Sequence, residues 1–272
     1  MSEHISTTGF FDVQAASLYY EFAGEGYPLL LLHAGIADSR MWDDQIPIFA
    51  PHFRTMRYDL RGFGQSRWES GTFATYEDPV ALFHTLGVQK AHVLGISYGG
   101  KVALDFTLTH PELVASLILV APSVGGEQPS EQVRRFFQEE DALVEKGDLQ
   151  AATELNLRLW VDGPQRTPDQ VNLTVRQRVY EMQYHAFTIP MPEGANEQEL
   201  EPPAIARLSE IHVPTLIIVG DLDLPDKLEL TEQLASTILG ARLEIIAGAA
   251  HMVSMEKPQE FNRIVLDFLS EL

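Results

Sequence analysis

The chain has 272 residues, 45% of them hydrophobic and 21% charged, with 39 Asp plus Glu against 19 Lys plus Arg for a formal net charge of -20. That surplus repels phosphate backbones and anionic membranes, so neither nucleic acid nor a membrane is an expected partner. Cysteine is absent, which removes disulfides, thiolate metal sites and a cysteine nucleophile.

In chain order, the start MSEHISTTGFFDV has no basic region followed by an apolar stretch, so no secretory signal is expected. The stretch FFDVQAASLYYEFAG has strand composition and predicts an antiparallel hairpin turning around Gln14 to Ala16. Apolar runs at Leu29–His33, Thr55–Asp59, His92–Ile96, Ser116–Val120, Pro214–Gly220 and Arg242–Ala247 predict strands covered on both faces, as in a parallel sheet. Helical periodicity fills the gaps around Trp42–Phe49, Val80–Leu86, Lys101–Thr109, Leu228–Leu239 and Gln259–Leu269. This alternation predicts an α/β fold with a mostly parallel, doubly wound sheet. One stretch breaks the rhythm: residues 123–206 contain helical pieces and no convincing strand. They predict a helical cap inserted into a core made of residues 1–122 and 207–272. Its aromatics (Phe136, Phe137, Trp160, Tyr180, Tyr184, Phe187) read as packing residues, and its acidic side chains as a solvated surface. The longest apolar runs, PLLLL and LVASLILVAP, are too short to cross a bilayer. A soluble, cytoplasmic protein is the expectation; oligomeric state is not readable.

The strand at His92–Ile96 ends in GISYGG, where Ser97 stands among Gly95, Gly99 and Gly100. A strand-to-helix turn needs small residues whatever its function, so the pentapeptide decides nothing alone. A nucleophilic serine also needs a base, and the base an orienting carboxylate. In an open parallel sheet these groups gather beyond the carboxyl ends of strands. PTLIIVGDLDLPD places Asp221, Asp223 and Asp226 after one expected strand, and RLEIIAGAAHMV places His251 after the next. On position alone the acid stays open among the three.

Five segments together resemble the α/β-hydrolase superfamily with an inserted cap. LLLLHAGIADSRMW is similar to its loop after the third strand and YDLRGFGQS to the turn after the fourth. GISYGG matches the nucleophile elbow, VGDLD the acid loop and GAAHMVSMEKPQEF the histidine loop. The resemblance implies a cofactor-independent serine hydrolase of a small to medium carboxylic ester or lactone, working through an acyl-enzyme. Perhydrolysis, amide hydrolysis, C–C cleavage and a ligand-sensing role are the alternatives it leaves open. It implies Ser97 as nucleophile, His251 as base and Asp223 as acid. An oxyanion hole would be formed by the backbone N–H groups of Gly35 and Tyr98. Ala34 departs from the family, which usually has Gly there; if that position needed positive φ, Ala would strain the loop. His33, Asp59 and Arg61 read as structural. The remaining histidines have no metal-ligand spacing, so no metal and no cofactor is expected. The cap arginines (Arg134, Arg135, Arg158, Arg166, Arg176, Arg178) are the one feature that would accommodate an anionic substrate.

Overall fold

The computed structural model describes residues 7–272; the first six residues of the opening stretch read as lacking a secretory signal lie outside the described part. Eleven strands are formed: β1 (Thr7–Val13), β2 (Ala16–Ala23), β3 (Tyr27–Leu32), β4 (Phe53–Tyr58), β5 (Arg67–Trp68), β6 (Gly71–Phe73), β7 (Ala91–Ile96), β8 (Val114–Val120), β9 (Ala195–Glu197), β10 (Thr215–Gly220) and β11 (Arg242–Ile246). Nine belong to one sheet ordered β1-β2-β4-β3-β7-β8-β10-β11, with β5 pairing β2. The β1–β2 hairpin turns at the expected place, and β2 meets β4 antiparallel. From β4 to β11 every pairing is parallel.

The helices are α1 (Ile46–Phe49), α2 (Asp78–Leu86), α3 (Tyr98–Thr109), α4 (Glu131–Glu145), α5 (Leu149–Asn156), α6 (Leu173–Thr188), α7 (Pro225–Thr237), α8 (Val253–Glu256) and α9 (Pro258–Ser270). Alternation along the strands sends side chains to two cores. Leu29, Leu31, Leu94, Ile96, Ile118 and Val120 face one side, where Phe261 and Val265 of α9 cover them. Leu30, Leu32, Val93, Leu117 and Leu119 face the other, under Leu82 of α2, Phe106 of α3 and Leu234 of α7. Each such leucine is fully buried, a contribution of ~1.5–3 kcal/mol apiece, which fixes the register that aligns the strand ends.

The structure departs from the sequence expectation in several places; β11, expected to be covered on both faces, is an edge strand and leaves Ile245 55% exposed. The helix expected over Trp42–Phe49 is split into a 3-10 turn (Ser39–Trp42) and α1, because Pro47 has no N–H to continue an earlier helix and sits instead in the first turn of a new one. Between β8 and β10 the chain forms α4, α5 and α6 as expected, but also β9, which pairs parallel with β6. Each of the three helices starts on a side-chain cap: Ser130 Oγ accepts from Val133 N–H, Asp148 from Ala151 N–H, and Asn172 from Thr174 and Val175 N–H. Among the described residues no helix is long and apolar enough to cross a membrane.

Candidate active site

At the carboxyl end of β7 the backbone turns sharply, and Ser97 takes φ 55° and ψ -116°. A non-glycine residue with positive φ is costly, by about 1–3 kcal/mol, and persists only where its surroundings enforce it. Here Ser97 N–H donates to Val120 O at 2.9 Å, while Ser97 O accepts from Lys101 and Ser123 N–H at 3.0 Å. The turn also requires its glycines. A Cβ on Gly95 would stand 2.2 Å from Gly99 O, and one on Gly99 2.4 Å from Leu32 O. Larger residues would therefore collide with backbone. Ser97 is left at the start of α3 with its side chain on a cavity of about 800 Å³.

The same cavity is lined by His251, at the end of the loop after β11 and only 1% exposed. Its Nδ1 lies 2.8 Å from Asp223 Oδ2, and the other oxygen of Asp223 accepts from Leu224 N–H at 2.7 Å. A carboxylate at that distance keeps the proton on Nδ1 and leaves Nε2 as an acceptor. Nε2 has no hydrogen-bond partner among the described residues. The other two candidate acids are engaged elsewhere: Asp221 Oδ1 accepts from Gly248 N–H at 2.6 Å and Asp226 Oδ2 from Ser130 N–H at 2.8 Å. The histidine loop is braced by Glu256, which accepts from Ala250 N–H at 2.9 Å and pairs with Arg166 at 2.6 Å.

Gly35 and Tyr98 both line the same cavity. They are near neighbours: a Cβ on Gly35 would come to 3.4 Å from Tyr98 Cβ, ordinary van der Waals contact. Tyr98 opens α3, so its N–H has no acceptor within the helix. Ala34 carries no backbone strain: the non-glycine residues of positive φ are Ala15, Ser97 and Ala121. Its carbonyl accepts from Ala37 N–H at 3.1 Å and faces His33 Nδ1 at 2.8 Å. Burial holds His33 below the usual imidazole range, so it is neutral and accepts from Leu60 N–H through Nε2 at 2.9 Å. Asp59 accepts from Ser39 and Gln65 N–H, and Arg61 pairs with Asp78 through two nitrogens, so all three residues brace loops as expected.

Two sets of contacts were not foreseen. Glu197 of β9 accepts from Thr75 Oγ1 at 2.6 Å and from the Tyr98 hydroxyl at 3.1 Å. Burial, reinforced by Glu197, pushes the Tyr98 phenol well above its usual range, so it remains a donor. The sequence resemblance named Tyr98 only for its backbone N–H; Glu197 lies 99 residues from Tyr98 and 122 from Thr75, too far apart in the chain for the side-chain link to be read. The second concerns the aromatics read as packing residues: Phe136 and Trp160 are indeed buried in the core and Tyr180 packs against it, but some of the rings also border cavities. Phe136, Phe137 and Trp160 line the Ser97 cavity, and Phe187 a neighbouring one of about 740 Å³, while Tyr180 and Tyr184 stack on each other. The cap arginines do not line the Ser97 cavity. Arg135 pairs with Glu131, Arg158 and Arg176 with Asp162, Arg166 with Glu256 and Arg178 with Asp44, while Arg134 donates to Pro129 O.

A family model described as alpha/beta hydrolase fold matches residues 27–258. The chain is 28% identical over 263 residues to a RutD protein of Azorhizobium caulinodans, named for carbamate hydrolysis, covering 94% of this chain and 96% of that one. It is 26% identical to carboxylesterase YbfK of Bacillus subtilis, covering 89% and 79%. Among solved structures, a hydrolase from Pseudomonas aeruginosa superposes with a TM-score of 0.76 at 28% identity, covering 96% of this chain and 98% of its own.

Proposed function

The chain belongs to the alpha/beta hydrolase fold family, whose relatives here are hydrolases including a carboxylesterase, and on that premise we propose that it is a serine hydrolase of small to medium carboxylic esters or lactones. The observation that carries the proposal is the buried Asp223–His251 pair, whose free Nε2 shares one cavity with a serine held in a strained turn. In this reading Ser97 Oγ attacks the carbonyl carbon as His251 Nε2 takes its proton. The tetrahedral oxyanion is held by the N–H groups of Gly35 and Tyr98, each contributing ~3 kcal/mol that develops only with the charge. Collapse breaks the C–O bond, and His251 passes its proton to the leaving oxygen. Water then enters, gives a proton to His251 and attacks the acyl-enzyme, and Ser97 recovers that proton as the acid departs. Asp223 stays ionised and stabilises the imidazolium in both halves.

The test is Ser97→Ala together with fluorophosphonate labelling of the unmodified protein. Labelling should map to Ser97, and kcat on p-nitrophenyl butyrate should fall by ~10⁵-fold or more in the folded variant. A probe adduct on another residue, or activity retained above a few per cent, removes Ser97 as nucleophile.

A further inference from the structure

The Ser97 cavity and its neighbour meet at Gly35, Tyr98 and Glu140. A carbonyl seated at Gly35 and Tyr98 therefore has a lobe on either side. His251 lines only the lobe that also holds Phe136, Phe137 and Trp160. Since His251 must protonate the leaving oxygen, the alcohol portion of the ester occupies that aromatic lobe.

The walls of this lobe have a consistent electrical character. Phe136 stands perpendicular to Trp160 with ring centroids 5.7 Å apart, and edge-on to Phe137 at 5.1 Å. Four carboxylates (Glu127, Glu140, Asp226, Glu229) face one lysine, Lys227. Lys227 Nζ is already taken up by Pro122 O at 3.1 Å and the Glu127 carboxylate at 3.3 Å. No cation of this lobe is thus free to receive a substrate carboxylate. Glu140 is the reverse case. It accepts from Asn156 and has no cationic partner among the described residues, and burial holds its carboxyl above the usual range. A partly buried carboxylate without a counter-ion, beside π faces, is complementary to an alkylammonium group.

Resting on the serine hydrolase reading, we infer that the preferred substrates are esters of alkylammonium alcohols, with Glu140 as the specificity-determining counter-ion and Phe136, Phe137 and Trp160 as the surrounding rings. One water is consumed, the C–O bond to the ammonium alcohol breaks, and the free acid and the alcohol leave.

The test compares butyrylcholine with 3,3-dimethylbutyl butyrate, which has the same shape but no charge, by pH-stat titration of the acid released. The kcat/KM ratio should favour the cation by about 30-fold, the order expected for one ammonium against one carboxylate and aromatic faces. In Glu140→Gln, a near-isosteric change, the ratio should fall to about threefold or less. Cleavage of the neutral ester with no preference for the cation overturns this inference and leaves the serine hydrolase reading standing. So does a preference that survives intact in Glu140→Gln. Cleavage of neither ester overturns it as well, and fluorophosphonate labelling of Ser97 then separates this failure from that of the parent reading.

Discussion

Replacing Asp223 by Asn removes a charge while keeping shape, so its effect can be worked from the geometry. The Asp223 carboxylate and His251 Nδ1 are 2.8 Å apart, at 2% and 1% exposure. With an effective dielectric of about 20, a carboxylate and an imidazolium at that separation attract by ~6 kcal/mol. In the proposed mechanism the imidazolium exists only after Ser97 has given up its proton, so nearly all of this attraction would act on the transition state. Losing it corresponds to ~10⁴-fold in kcat, at ~1.4 kcal/mol per decade. Asn also offers an N–H to Nδ1, which favours the tautomer with its proton on Nε2 and removes the base. Asp221→Asn is the control. Asp221 is exposed and accepts from Gly248 N–H, so its loss should leave kcat within about tenfold. Both variants would be assayed on p-nitrophenyl butyrate, with thermal melts to establish folding. A folded Asp223→Asn enzyme within tenfold of the parent would refute the electrostatic argument, and a dead Asp221→Asn enzyme would move the acid by two residues.

Two further outcomes follow from the same structure. Ala34→Gly should leave kcat within about threefold and lower stability by ~0.5–1 kcal/mol, since Ala34 has no positive φ for glycine to relieve; a gain in stability by thermal melt would contradict this. His92 is held by burial at a pKa of about 4, below the ~6.5 of an unfolded chain, so its contribution to stability is complete above pH 6.5 and lost as pH falls towards 4. Asp78 and Asp105, raised by burial to about 6, act in the opposite sense, so the readout is the difference between the parent and His92→Gln. That difference should grow by ~1–2 kcal/mol in favour of the variant between pH 7 and 4 by urea unfolding, after discounting for solvent screening; a pH-independent difference would exclude a role for His92 protonation.

The main strands were legible because strands buried on both faces are continuously apolar, and Leu29–Leu32 and Leu117–Val120 announce themselves that way. The candidate site was legible because each of its groups follows such a strand within a few residues: Ser97 after β7, Asp223 after β10, His251 after β11. Short elements were not. β5, β6 and β9 have two or three residues each, below one cycle of any reliable pattern, and β9 exists only because β6 offers it an edge. The six residues Leu157–Asp162 continue α5 as a π-helical turn, a change of hydrogen-bond register that composition does not mark. Their consequence is local: the turn carries Trp160 to 4.7 Å from the His251 ring. A packed core aromatic thereby also lines the Ser97 cavity.

The least legible feature ties these parts together. Tyr98 contributes its backbone to the proposed oxyanion hole and its hydroxyl to Glu197, a residue of the segment that returns from the cap. Its side chain leaves only van der Waals room beside Gly35, the other proposed donor: a Cβ there would meet Tyr98 Cβ at 3.4 Å. Glu197 is itself held by Thr75 and by the β6–β9 pairing, with Lys101 3.8 Å away. If the two N–H groups form the oxyanion hole as proposed, α3 holds the Tyr98 donor while the Tyr98 phenol ties the same residue to β9. Catalytic geometry of this kind tolerates displacements of only about 0.5 Å. On that proposal, a shift of β9 that breaks the Tyr98–Glu197 hydrogen bond would free the Tyr98 side chain, so β9 would act on the site although no residue of it touches Ser97, Asp223 or His251 by hydrogen bond.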